Sequence, residues 1–280
     1  MLRKRIATAA AITMTLSAVW MGGVRADTAY VANERTNTIS VIDTDRAAVV
    51  HTIGLGSDPA IPGTPQPDGP YNGKADHHLP FYNGHVDTHG LWLTEDGRVL
   101  LATNRISGTV VAIDTATNAV LGYTPVGREP HLASVRPGHR EAWVAIRGED
   151  YVDVLMLDYD KLFDPRRRRT ERMPLGEPID TVKGPSMVTF TADGASAFVT
   201  SGKQQRLDKI DAETHKIVVS QTVPAAFTPF GLVTPDDNEI YLVHKGAGTL
   251  SILRTADLGF VVESLLVGTR ANHVFFLGNL

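Results

Sequence analysis

The chain has 280 residues, no cysteine, 42% hydrophobic residues and a formal net charge of −4. That length suffices for one large β domain with a sizeable core, and the lack of cysteine excludes disulfide staples and thiolate metal sites. The mildly acidic balance lacks the basic footprint of a nucleic-acid binder, so no DNA or RNA partner is expected.

Residues 1–26 read as a secretory signal peptide. Leu2, Arg3, Lys4 and Arg5 form a charged start, and residues 6–24 form an apolar stretch. Val24, Arg25 and Ala26 then supply a processing pattern with small residues at its first and last positions. Cleavage between Ala26 and Asp27 would leave a mature chain in the periplasm or outside the cell. The competing reading is an uncleaved anchor, because the apolar stretch is near the lower limit of a membrane span. The processing pattern favours cleavage, after which no transmembrane segment is expected.

From residue 28 onward one pattern recurs five times: an alternating apolar run, a turn of small residues, and a second run usually ending in Asp. The paired runs are residues 29–33 with 38–43, 99–104 with 109–114, 142–146 with 152–158, 197–200 with 206–211, and 240–243 with 249–253. β-Branched and aromatic residues around turns bearing Asn or Gly mark each pair as a hairpin. A third β-type run follows at 49–53, 119–126, 216–223 and 260–267. In the third unit the corresponding stretch is polar and basic. A further apolar run precedes the later pairs, at 90–97, 131–138, 187–194 and 231–238. Each unit therefore predicts four strands. The closing aspartates Asp43, Asp114, Asp158 and Asp211 lie 71, 44 and 53 residues apart. Those spacings approach the roughly 40–50-residue period of a propeller blade, and the excess maps to two inserted loops, 57–88 and 159–182. No helix-period segment competes. The expected fold is all-β, a β-propeller of four-stranded antiparallel blades spanning 27–280.

Tyr30, Val31, Ala32 and Asn33, followed by Asn37 to Thr44, resemble the YVTN-repeat β-propeller family of YncE-like exported proteins. So do Leu101 to Asn104 with Val111 to Thr115, and the turns at Glu95-Asp96-Gly97 and Ala192-Asp193-Gly194. The resemblance covers nearly all of residues 28–280. It implies a ring of usually seven blades, export, and a binding role rather than a defined chemistry. About five blades are present here. Residues 273–277 could supply a first strand to the first blade and close a five-bladed ring. The reading favoured is an incomplete ring with exposed strand edges.

In such a ring the first strand of each blade lines the central channel. Aligned on their terminal turns, Gly90, His131, Met187, Gly231 and His273 share one position, and His89 stands one residue before it. The first insertion adds Asp76, His77, His78, His85 and Asp87. Imidazole is the commonest metal ligand, so His77, His78, His85, His89, His131 and His273 form a candidate metal set for Cu, Zn or haem iron. Propellers of the nitrous oxide reductase and cytochrome d1 types, which this chain resembles only in general position, use inner-strand histidines in that way. Asp76, Asp87 and Met187 complete a candidate ligand-binding face. The function expected is an exported, non-enzymatic scaffold binding a small ligand or protein at the channel. The alternative is a periplasmic metal- or haem-binding redox propeller. Insertion 57–88 reads either as a cap on the channel mouth or as a solvated linker. Hydrogen bonding of the histidines to buried backbone is the plain structural alternative.

His51, His139, His215 and His244 read as loop or strand residues without partners. Arg166, Arg167, Arg168 and Arg169, with Arg172, form the one strong charge run. It reads as a solvated loop face, with an anionic partner such as a lipid headgroup as the other possibility. No nucleophile elbow, phosphate-binding glycine loop or zinc-protease signature is present, and the acids at Glu95, Asp96, Asp193, Asp236 and Asp237 sit where turns need them.

Overall fold

Short runs alternating with period two become strands because each can bury side chains on both faces of a sheet. The computed structural model describes residues 28–33, 38–43, 46, 48–55, 87–224 and 230–268. β1 (Thr28–Asn33), β2 (Thr38–Asp43) and β3 (Ala48–Gly54) form a three-stranded sheet. The second sheet holds β4 (Thr88–Leu93), β5 (Val99–Asn104), β6 (Thr109–Asp114) and β7 (Ala119–Pro125). The third holds β8 (Pro130–Val135), β9 (Glu141–Ile146), β10 (Tyr151–Met156) and β11 (Ile179–Asp180). The fourth holds β12 (Pro185–Phe190), β13 (Ser196–Ser201), β14 (Arg206–Asp211) and β15 (Lys216–Thr222). The fifth holds β16 (Phe230–Val233), β17 (Glu239–His244), β18 (Thr249–Arg254) and β19 (Phe260–Leu266). Every sheet is an antiparallel meander in chain order.

The alternation sends neighbouring residues into different cores. On β5, Leu100 and Ala102 pack with Ile39, Val41 and Ile53 of the first sheet. Val99 and Leu101 pack on the other side with Val144 and Ile146 of the third. On β9, Trp143 and Ala145 turn to Val188 and Val199 of the fourth sheet. Phe198 of β13 then joins Ile240 and Leu242 of the fifth. A fully buried side chain of this size contributes roughly 1.5–3 kcal/mol, so each interface between sheets is a core in its own right. The first strands β4, β8, β12 and β16 lie next to one another in that order, and β1, which matches the second strands of the later sheets, lies beside β4. Sheets packed face to face with their first strands adjacent are the blades of a β-propeller, as the repeat pattern implies.

In the second, fourth and fifth blades the turns between first and second strands share one device. Thr94 Oγ1 donates to Asp96 at 2.7 Å and accepts the Val99 N–H at 3.0 Å. Thr191 with Asp193 and Ser196, and Thr234 with Asp236 and Glu239, repeat it. The residue closing each turn is left-handed: Gly97, Gly194 and Asp237, with φ of 67°, 68° and 59°. These aspartates are thus turn residues, as expected.

The second insertion is ordered structure rather than a plain loop. Asp158 caps α1 (Tyr159–Leu162) by accepting from the Asp160 and Lys161 N–H groups. Leu162 and Met173 enter the core between the second and third sheets. Arg98 lies over the rings of Tyr159 and Phe163 at 5.4 and 4.8 Å. The chain then crosses β7, where Thr124 Oγ1 donates to the Met173 carbonyl at 2.5 Å. It returns as β11, the fourth strand of the third blade. That strand takes the last residues of the 159–182 segment, so the polar stretch after β10 is an excursion before the strand and not a replacement for it. The arginine run is largely answered within the insertion. Arg166 pairs with Asp164 at 2.9 Å. Arg172 is buried and donates to the Leu121 carbonyl at 2.7 Å. Among the described residues no helix is long and apolar enough to cross a membrane.

Candidate functional site

Two columns of the repeat meet at one end of the first hairpin in the second, third and fourth blades. Asp87, Glu129 and Gly184 stand just before β4, β8 and β12, and all three are left-handed, with φ of 55°, 51° and 59°. Their carbonyls accept the N–H of the residue that follows the second strand. Those residues are Arg105 at 3.0 Å, Arg147 at 3.1 Å and Gly202 at 2.8 Å. Holding a non-glycine residue in this region costs on the order of 1–3 kcal/mol, and such strain gathers at functional sites. In the second blade the two columns form an ion pair, with Arg105 Nε and Nη2 donating to Asp87 Oδ2 at 2.7 and 2.6 Å. In the third blade Glu129 stands close enough to Arg147 to stabilise its charge. In the fourth both columns are glycine.

One residue into each first strand comes the candidate site itself. Strand register makes His89, His131 and Ser186 equivalent, since each follows the residue paired with the end of the second strand. His89 is therefore in step with His131, not one residue ahead of it. The offset arises because Gly138 sits one position earlier in its turn than Gly97 or Gly194, while Arg136 and Glu141 pair as Thr94 and Val99 do.

The histidines touch. His89 Nε2 and His131 Nε2 lie 3.1 Å apart, with ring centroids at 4.5 Å. His131 Nδ1 lies 2.7 Å from the Ser186 carbonyl. A carbonyl only accepts, so His131 Nδ1 carries the proton. Neutral imidazole has one N–H, so His131 Nε2 is the acceptor and His89 Nε2 the donor. The three residues make a chain of hydrogen bonds across three consecutive blades. His131 is 8% exposed. Burial pushes its pKa down to about 3, and the nearby charges of His89, Arg147 and Arg105 act in the same direction against the Ser186 hydrogen bond. It is a permanent neutral acceptor near neutral pH. Arg147 is half-buried, and burial together with Arg105 lowers its pKa, with Glu129 opposing.

A backbone clamp sets this geometry. Thr103 Oγ1 accepts the Gly90 N–H at 2.9 Å and donates to the His131 carbonyl at 2.7 Å. A Cβ on Gly90 would stand 2.6 Å from that carbonyl, so only glycine lets β4 come this close to β8.

Of the expected site residues, His89, His131 and Asp87 gather here. Asp87 is occupied by Arg105. Met187 is one residue further along β12 and only 1% exposed, so it presents no surface to a ligand. Asp76, His77, His78, His85 and His273 lie outside the described residues. Among the described residues no three His, Asp or Glu side chains converge as a metal site. Three of the four histidines expected to lack partners have them. His244 Nε2 lies 2.7 Å from Ser251 Oγ, His215 meets the Trp143 ring edge-on at 5.4 Å, and His139 Nδ1 lies 2.8 Å from the Pro137 carbonyl. Arg105, Arg147 and Ser186 join the site although the sequence reading passed over them. Their signal was the column they occupy in the repeat.

No protein-family model and no curated protein matches the chain. Solved structures do. Hydrazine synthase of Kuenenia stuttgartiensis is similar with a TM-score of 0.65 and 18% identity, over 88% of this chain and 65% of that one. The Swd1 β-propeller domain of Myceliophteria thermophila is similar with a TM-score of 0.58 and 14% identity, over 86% of this chain and 67% of that one. At such identities the likeness carries the fold alone: this chain is a β-propeller.

Proposed function

We propose that this chain is an exported β-propeller that acts as a non-enzymatic scaffold and takes its ligand at the channel-side rim built by β4, β8 and β12. The observation that carries this reading is the His89–His131 contact. One member is buried and fixed as an acceptor, and the other is part-exposed and directed by it. The two arginines beside this contact suit a ligand bearing anionic or hydrogen-bond-accepting groups. Export rests on residues 1–26. The ligand is a small molecule or a protein segment that reaches the channel face.

A bound metal ion is the second reading, and one distance favours it. Two imidazole nitrogens bound to one ion at about 2.0–2.1 Å each stand roughly 3 Å apart, close to the 3.1 Å found. The Ser186 carbonyl would then orient His131 as outer-shell partners do. The charge of the surroundings weighs the other way, because Arg105 and Arg147 both repel a cation at His131. Elemental analysis and absorption spectra of the purified protein separate the two, since stoichiometric Cu, Zn or Fe would displace the first reading.

The main test is a fragment screen read by the imidazole resonances of His89 and His131. Ligands should shift both rings and lose affinity about tenfold or more in His89→Gln. A broad screen that moves neither ring would overturn the proposal.

A further inference from the structure

We infer that the rim carries a built oxyanion subsite between the third and fourth blades, where the Arg147 guanidinium and the Ser186 hydroxyl meet beside Gly202 and together take one carboxylate or phosphate group. The inference rests on the ligand face proposed above and names the chemistry that this face accepts.

The repeat itself supplies the comparison. In the second blade the chain provides its own anion, because Asp87 holds Arg105. The positions equivalent to that pair in the fourth blade are Gly184 and Gly202. A Cβ on Gly202 would stand 2.7 Å from Ser186 Oγ and 3.3 Å from Arg147 Nε. The two polar atoms therefore border the side of Gly202 from which any other residue would project. Gly202 and Arg147 are both part-exposed, and an anion would come in over them.

Ser186 is the second, independent observation. Its carbonyl serves His131, but its Oγ is fully buried and has no hydrogen-bond partner. A buried hydroxyl left in that state costs roughly 1–3 kcal/mol. Such a group in a native fold calls for an explanation, and a ligand oxygen supplies one. The sign of the ligand follows from what surrounds it. Arg147 borders the same side of Gly202 as the hydroxyl, and Arg105 adds to the positive field. The Lys203 stem lies against Gly184, with Cδ 2.6 Å from a Cβ built there. Glu129 is the acid near Arg147 and offsets only part of this charge. Carboxylate and phosphate share the needed chemistry, which is oxygens able to accept from a guanidinium N–H and a hydroxyl at once.

The test uses the full chain at low ionic strength, where such contacts are least screened. Succinate and inorganic phosphate are titrated separately by calorimetry and by amide spectra, with thermal unfolding confirming that each variant folds. Wild type should bind one equivalent, with shifts centred on Gly202 and Ser186. Gly202→Ala places a methyl in the subsite and Ser186→Ala removes one oxygen; each should weaken binding about tenfold or more. Binding of succinate alone identifies a carboxylate ligand, and of phosphate alone a phosphoryl one. Affinity unchanged in both variants but lost in His89→Gln would place the anion on the histidine pair, so the subsite would fall while the ligand face stood. No binding of either probe to wild type would also overturn the subsite, and the fragment screen would then decide the face by itself. Should Gly202→Ala fail to fold, Ser186→Ala carries the same test.

Discussion

Acidification offers a direct check on the buried histidine. His131 has a folded pKa of about 3 against an ordinary value of 6.5, chiefly because burial disfavours the imidazolium. Between those values the unfolded chain binds a proton that the folded chain refuses. Stability is therefore lost as pH falls through 6.5, and the loss is complete near pH 3. Integrating the linkage gives about 2 kcal/mol lost at pH 5 and roughly 4–5 kcal/mol at pH 3. Carboxylates lose stability over the same range, and His244, lowered by burial, acts in the same direction. A variant isolates the term. His131→Asn keeps a side-chain N–H for the Ser186 carbonyl but cannot titrate. Urea unfolding at pH 7 and pH 5 should show wild type losing about 2 kcal/mol more than the variant. Curves that run parallel to within about 0.5 kcal/mol would refute the account of His131 as a neutral, buried acceptor.

Thr103→Val should strip a partner from the Gly90 N–H and the His131 carbonyl while keeping the shape. The expected cost is about 2–4 kcal/mol by urea unfolding, with faster hydrogen exchange at Gly90; a cost below about 0.5 kcal/mol would show the clamp to be dispensable. Gly90→Ala should push β4 from β8 and separate the histidine rings. By contrast Gly97→Ala, with nothing within 4 Å of the new methyl, should cost only about 1 kcal/mol from its left-handed backbone. Arg172→Leu should free the insertion from β7 and speed tryptic cleavage at Arg166 to Arg169; unchanged cleavage would deny Arg172 its anchoring role. N-terminal sequencing of exported protein should begin at Asp27, and a retained Met1 would end the signal-peptide reading.

The blades were legible because alternation is a local property. Leu100 and Leu101 point to different cores for the same reason that they are neighbours. β11 was not legible: two residues, Ile179 and Asp180, make too short a run to stand out from the insertion before them. The histidines were visible as residues but misplaced by one, since Gly138 marks a different point of its turn than Gly97 does. Asp87 was read from its loop, and its ion pair with Arg105 was not, because that pairing joins two columns 18 residues apart. Ser186 carried no signal of its own, as a serine beside proline reads as an ordinary strand start. Only its burial beside glycine makes it chemical.

The threonine–aspartate staple gives the second, fourth and fifth blades a closure that spans only five or six residues. Short loops close quickly and at small entropic cost, so each hairpin can assemble without waiting for distant chain, although the completed ring depends on long-range contacts. Damage is confined by the same logic. Removing Thr191 should loosen the turn of its own blade and disturb adjoining blades only through shared packing, leaving the Thr94 and Thr234 turns intact. Repeats built in this way can drift apart in sequence one blade at a time, which accounts for a rim where one blade keeps an acid and a base and another has surrendered both to glycine.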